Sequence, residues 1–295
     1  MNAPTHLVLL TFGDRLETHY QAALSILSFL NDRHIAKVIV ITDRPDFYRC
    51  FGDRVAFITI DEATLRDWQG EMQFFWRVKI KALQAVAERY PAESILYVDS
   101  DTVLGAPLTP LIDGLNRGQP FMHTCEERLS EGGSKTVRNM WASLQNRTFA
   151  GVTIDANTAM WNAGVIALPH DTARDILALA LAICDAICAT DCPRRLVEQF
   201  AFSLALNHHQ PLQGCEHIIA HYWGNKAQWN AIAQELLLTA FLHHENLEQM
   251  IARAAQLPVR EMPIFSKTSS TEKRLTHLIG RLFKRNQHRY FSPQE

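Results

Sequence analysis

The sequence predicts an α/β protein with a mostly parallel central sheet flanked by helices. Two observations carry this. Apolar runs of strand length alternate with amphipathic stretches through the first half of the chain. In addition, 47% of the 295 residues are apolar, enough to fill a substantial core. Residues 6–11 read as a buried strand, 18–30 as a helix, and 37–42 and 55–60 as further strands. Residues 74–89 read as a helix with Val78, Leu83 and Val86 on its apolar side, and it delivers the chain into a strand over 94–98. Residues 126–160 break this pattern with Gly, Ser, Asn, Thr and charge, and read as a mobile substrate loop or lid. Order returns with a strand over 161–169, helices over 172–189 and 196–207, and a short strand over 216–220. In a sheet of this kind ligands collect beyond the carboxyl ends of the strands, so the residues after Leu10, Ile41 and Val98 are the first candidates for function.

Composition narrows the function classes. The formal net charge is −2 and the isoelectric point is near 6.7, so the chain as a whole offers no basic surface for nucleic acid. Charge is uneven, however: residues 266–295 carry a local +5, leaving −7 for the rest. Six cysteines (Cys50, Cys125, Cys184, Cys188, Cys192 and Cys215) are too thinly spread for a disulfide framework, and a reducing cytoplasm is expected. The first residues lack a basic segment followed by an apolar stretch and a cleavage site, so no secretion signal is expected. The most apolar long segment, 176–187, contains Asp185 and is shorter than the ~20 residues a bilayer span needs.

The strongest local signal is Ile95-Leu96-Tyr97-Val98-Asp99-Ser100-Asp101-Thr102-Val103, an apolar strand ending in two carboxylates one residue apart. On an ideal strand these point to the same side, roughly 6 to 7 Å apart, where like charges repel unless a cation sits between them. Hard oxygen ligands suit Mg²⁺ or Mn²⁺, which keep positions open for substrate phosphates. The pair equally suits a turn cap at Asp99 with a solvated Asp101. A second cluster, His221-Tyr222-Trp223-Gly224-Asn225-Lys226-Ala227-Gln228-Trp229, combines a metal-ligand type, a glycine that admits close backbone approach and a cation. The alternative is packing of Trp223 and Trp229 at a helix start, with His221 a core residue and Lys226 in solvent.

Together these segments resemble the family 8 retaining nucleotide-sugar glycosyltransferases, which include glycogenin and the bacterial lipopolysaccharide galactosyltransferases. Further pieces fall in the family's order. Thr11-Phe12-Gly13-Asp14 ends the first strand, and Arg77 stands on the helix before the Asp-x-Asp strand. Asn162-Ala163-Gly164 follows the metal motif, then Glu198-Gln199 on a helix, where the family more often has Asp-Gln, and then His221, Gly224 and Lys226. The resemblance spans residues 5 to 230. It implies a glycosyltransferase A-type nucleotide-diphospho-sugar transferase fold over residues 1–245, followed by a C-terminal helical, basic amphipathic tail over 246–295.

It also implies that Asp99, Asp101 and His221 hold Mn²⁺ or Mg²⁺ against the diphosphate of a UDP-sugar. Thr11, Phe12, Asp14, Arg77, Ser100, Gly224 and Lys226 would shape the nucleotide side. Asn162, Glu198 and Gln199 would orient the sugar, and Lys226 would assist the leaving group, with transfer to a hydroxyl of a glycan or lipid-linked acceptor.

Two other readings stand beside it. Apolar strand plus Asp-x-Asp-Thr-Val also resembles the nucleophile motif of haloacid-dehalogenase-type phosphatases, with Asp99 phosphorylated and Asp101 as acid and base. A non-catalytic nucleotide-sugar-binding scaffold is the third. Cys184, Cys188 and Cys192 recur every fourth residue without a matching fourth ligand and read as small core residues. In the tail, Leu275, Leu278, Ile279, Leu282 and Phe283 follow helical spacing opposite Arg274, His277, Arg281, Lys284, Arg285 and His288. Such a helix suits either an anionic membrane surface or packing on the domain. The resemblance favours the membrane, and a cytoplasmic protein peripheral on its inner face is expected.

Overall fold

Strand β1 (Thr5–Leu10) shows why the sheet is covered on both sides: Leu7, Val8 and Leu9 have no exposed surface, although successive side chains point to opposite faces. The computed structural model describes residues 3–266 together with Leu275 and Leu278. After β1 the chain forms α1 (Leu16–Leu30), β2 (Ile35–Thr42), β3 (Val55–Thr59), α2 (Glu62–Gln69), α3 (Arg77–Arg89) and β4 (Ser94–Val98). Next come β5 (Thr102–Leu104), α4 (Thr109–Asn116), β6 (Phe121–Met122), β7 (Cys125–Arg128), α5 (Lys135–Leu144), β8 (Thr148–Phe149), β9 (Val152–Thr153), β10 (Ala159–Trp161) and β11 (Val165–Leu168). The described chain is completed by α6 (Ala173–Cys188), α7 (Val197–His209), β12 (Gln213–Gly214), β13 (Ile219–His221), α8 (Lys226–Leu242) and α9 (Leu247–Ala255).

Seven strands form the central sheet in the order β12-β6-β11-β4-β1-β2-β3. All neighbours run parallel except β11, which is antiparallel to β4 and β6. Val8, Ile39, Ile95 and Tyr97 face one core, built with α3, α6 and α7; Leu7, Leu9, Val38 and Leu96 face the other, built with α1, α4, α8 and α9. Cys184, Cys188 and Cys192 are buried in the first core, as their spacing suggested. Met250, Ile251 and Ala254 of α9 are buried in the second.

The stretch expected to be a mobile loop is structured. Strand β7 pairs with β10, Ser134 caps α5, and β8 and β9 make a tight hairpin. Leu129, Val137, Met140, Leu144, Ile154 and Met160 anchor the whole segment in the first core. The apolar positions are spaced by short elements and interrupted by polar turns, so no long period shows in the sequence. The strand expected over 161–169 splits into β10 and β11 at Asn162, Ala163 and Gly164.

Candidate active site

Antiparallel β11 brings its start to the edge of the sheet where parallel β1 and β4 end. Asn162, Ala163 and Gly164 therefore lie beside Asp99, whose N–H donates to the Gly164 carbonyl at 2.8 Å. The short ribbon of β5 and β13 pairs Thr102 with His221, and the Tyr222 N–H donates to the Asp101 carbonyl. One ligand atom from each of Asp99, Asp101 and His221 then lies within 4.8 Å of the others.

Hydrogen bonds orient all three side chains. Tyr97 Oη donates to Asp99 Oδ1 at 2.6 Å, and Lys79 Nζ stands 3.1 Å from the same oxygen. Asn162 Nδ2 donates to Glu126 Oε1 at 2.8 Å while its Oδ1 accepts from the Gly164 N–H, which fixes the amide. His221 Nδ1 is 3.0 Å from that Oδ1 and must be the donor, so Nε2 is the nitrogen facing Asp101 Oδ1 at 3.4 Å. Lys226 Nζ closes the other side, 2.8 Å from Asp101 Oδ2. Burial opposes ionisation of Asp101, yet His221 and Lys226 hold its carboxyl well below the usual carboxylate range. Packing completes the arrangement: a Cβ on Gly164 would lie 2.2 Å from the His221 ring.

A cleft of about 350 Å³ opens in front of this group, lined by Thr11, Phe12, Phe75, Trp76, Ser100 and Lys226 among others. Thr11 is buried and shares a hydrogen bond with the Tyr48 hydroxyl. Ser100 Oγ lies 3.4 Å from Gln21 Oε1.

Three expected nucleotide-side residues are not brought to the cleft. Arg77 makes paired bonds to Asp185 and one to the Trp68 carbonyl, because two helical residues apart is ~200° around the axis. Lys79 is the residue of α3 that faces the site, buried between Asp99 and Glu198 and bonded to the Ala163 carbonyl. Burial works against its charge, but Asp99 and Glu198 hold the ammonium above the ordinary lysine value. Asp14 points outward to Arg44. Beside Gly224 stands the ring of Phe265, 2.1 Å from where a Cβ would be, so that glycine serves chain packing.

Glu198 is buried, and burial pushes its carboxyl up, with Lys79 drawing it the other way. Gln199 Nε2 donates to Glu126 Oε2 at 3.0 Å. Glu126 thus clasps both Asn162 and Gln199. It escaped the sequence reading because it sits in the segment read as a loop; its only signal was its place after a short apolar run.

No family model matches the sequence, and no curated protein matches it. Among solved structures the chain is similar to mouse xyloside xylosyltransferase 1, with 12% identity and a TM-score of 0.47, over 72% of this chain and 84% of that one. It is also similar to the galactosyltransferase LgtC in complex with donor and acceptor sugar analogs (14%, TM-score 0.46, 68% of this chain and 70% of that one). The bifunctional glycosyltransferase WbbM matches at 10% identity and a TM-score of 0.45, over 73% of this chain and 39% of WbbM.

Proposed function

We propose that this chain is a glycosyltransferase of the A-type fold that moves a sugar from a UDP-sugar to an acceptor hydroxyl of a glycan or glycolipid, with metal dependence and retention of configuration. The observation that carries the reading is the convergence of Asp99, Asp101 and His221 at the carboxyl edge of a mostly parallel sheet, at the back of a cleft. Two carboxylate oxygens and an imidazole nitrogen form a donor set that fits Mn²⁺ or Mg²⁺, and Asn162 supplies the outer hydrogen bond that aims the imidazole. When bound, such an ion supplies Lewis-acid neutralisation of a diphosphate as it leaves.

The remaining work belongs to the chain. Lys226, about half exposed and paired with Asp101, stands where it can turn to a departing phosphate. Phe12, Phe75 and Trp76 offer ring faces to a nucleobase at the cleft rim. Asn162, Gln199 and Glu126 form one hydrogen-bonded unit that can hold sugar hydroxyls. Lys79 keeps Asp99 and Glu198 in place at the floor. Oδ1 of Asp99 is committed to Tyr97 and Lys79, which leaves Oδ2 for a ligand role. The basic tail would hold the enzyme on an anionic, cytoplasmic membrane face; beyond residue 266, apart from Leu275 and Leu278, which are helical and more than half exposed, it lies outside the described residues.

Thermal-shift titration of a nucleotide-sugar panel, with and without Mn²⁺, on the wild type and on Asp101→Ala tests the reading. Ligand that binds only the native state raises its stability, by ~2.7 kcal/mol at a hundredfold excess over Kd. The expected result is stabilisation by a UDP-sugar that needs both the metal and Asp101. Indifference to every nucleotide sugar would overturn it.

A further inference from the structure

We propose that a hollow beside Trp161, distinct from the donor cleft, is a saccharide-binding groove for the distal sugars of an extended glycan acceptor. The inference rests on the glycosyltransferase reading and gives it an acceptor class.

The hollow has a volume of about 510 Å³, with hairpin β8–β9 on one side and α7 on the other. It is joined to the reaction site through two elements. Trp161 immediately precedes Asn162, and its N–H donates to Ser203 Oγ at 2.9 Å. On α7, Gln199, Ser203 and Asn207 recur every fourth residue and share one helix face, and Ser203 Oγ donates to the Gln199 carbonyl. That face covers ~12 Å between Gln199 and Asn207, further than one monosaccharide reaches. A glycan whose terminal hydroxyl sits near Gln199 would lay its next sugars along this rail.

The lining selects the ligand. Among the described residues no Lys or Arg lines the hollow and Asp155 does, which disfavours phosphate, nucleic acid or an anionic headgroup. Asp155, Asn157, Asn207 and His208 offer carboxylate, amide and imidazole groups of the kind that bridge neighbouring hydroxyls, and the half-buried Trp161 offers an apolar ring for the C–H face of a pyranose.

Capacity remains on these groups. Among the described residues, the Asn157 amide and the His208 ring make no hydrogen bond, and Asp155 uses only Oδ1, for the Asn157 N–H and the Thr158 hydroxyl. Asn207 uses only its carbonyl oxygen, which accepts from the Leu212 N–H. The wall is preset, since the hairpin turns through Ala150 and Gly151 at φ 47° and 87°, a conformation that is strained for alanine.

The test is an array of defined oligosaccharides, with the corresponding monosaccharides printed alongside, probed with the labelled full chain and with Asn157→Ala and Asn207→Ala. Both residues are exposed, so the variants should melt with the wild type; His208→Ala replaces either one that does not. The expected result is wild-type binding to a subset of oligosaccharides, absent for their monosaccharides and weakened about tenfold or more in the variants. Binding to no glycan, or variant profiles matching the wild type, would overturn the groove. Thermal shift of the wild type with UDP-sugars and Mn²⁺ is read in parallel. Its absence sinks the transferase reading itself, whereas its presence alongside unaltered glycan profiles sinks the groove alone.

Discussion

Gly164 does its work by having no side chain. The His221 ring occupies the space a Cβ would take, at 2.2 Å, and the same glycine gives its N–H to Asn162 and its carbonyl to Asp99. Gly164→Ala should therefore push the imidazole off its line while leaving Asp99 and Asp101 intact. Loss of such an outer support typically costs 10–100-fold in metal affinity, and calorimetric titration with Mn²⁺ should show a weakening of about that size. An unchanged affinity would mean that His221 is not a ligand. Lys79 presents a different balance, a buried cation between two carboxylates. Lys79→Met leaves Asp99 and Glu198 facing each other without it and should destabilise the fold by ~3–5 kcal/mol, measured by urea denaturation. Adding Glu198→Leu should return part of that loss, because it removes one of the two stranded charges. Neither Lys79 nor Glu126 stood out in the sequence. A motif comparison selects a residue type at a position, and Arg77 satisfied it, although Lys79, four and seven residues before Leu83 and Val86, shares the apolar face read for this helix and was the residue whose phase turns it inward.

Elements differ in how far their sequences announced them. Strand β4 was legible to the residue, and β1, β2, β3, α1, α6 and α7 to within about two residues, because long, mostly apolar runs bounded by polar turns mark buried strands and helices alike. The segment from β7 to β10 was not, since its strands are two to four residues long and its order comes from side chains reaching a distant core. Its hairpin holds a testable strain. Ala150 adopts φ 47°, where glycine is at ease and a Cβ is crowded. Ala150→Gly should thus raise stability by ~0.5–1 kcal/mol despite glycine's greater freedom when unfolded, readable as a small upward shift of the denaturation midpoint at constant slope. A lower midpoint would show that the chain entropy of glycine outweighs the relief of strain.

At the scale of the whole molecule, the most exposed large apolar side chains of the described residues lie on α8. Leu238, Phe241 and Leu242 of α8 are 60%, 80% and 72% exposed, and Leu275 and Leu278 beyond Ser266 are also exposed. No helix of the described residues is long and apolar enough to cross a membrane. In the proposed attachment to a membrane surface the tail's basic residues would supply the electrostatic half, since each Lys or Arg near an anionic surface contributes ~1 kcal/mol. The local +5 of residues 266–295 stands against −7 for the rest of the chain, so the tail is the part that an anionic surface attracts. Sedimentation with vesicles should show binding to membranes rich in phosphatidylserine and little to phosphatidylcholine alone, weakening as salt shortens the screening length. Deleting residues 270–295 should release the protein from the anionic vesicles. If instead the truncated chain binds as before and Phe241→Ser with Leu242→Ser abolishes binding, the attachment belongs to α8, and the tail has another use.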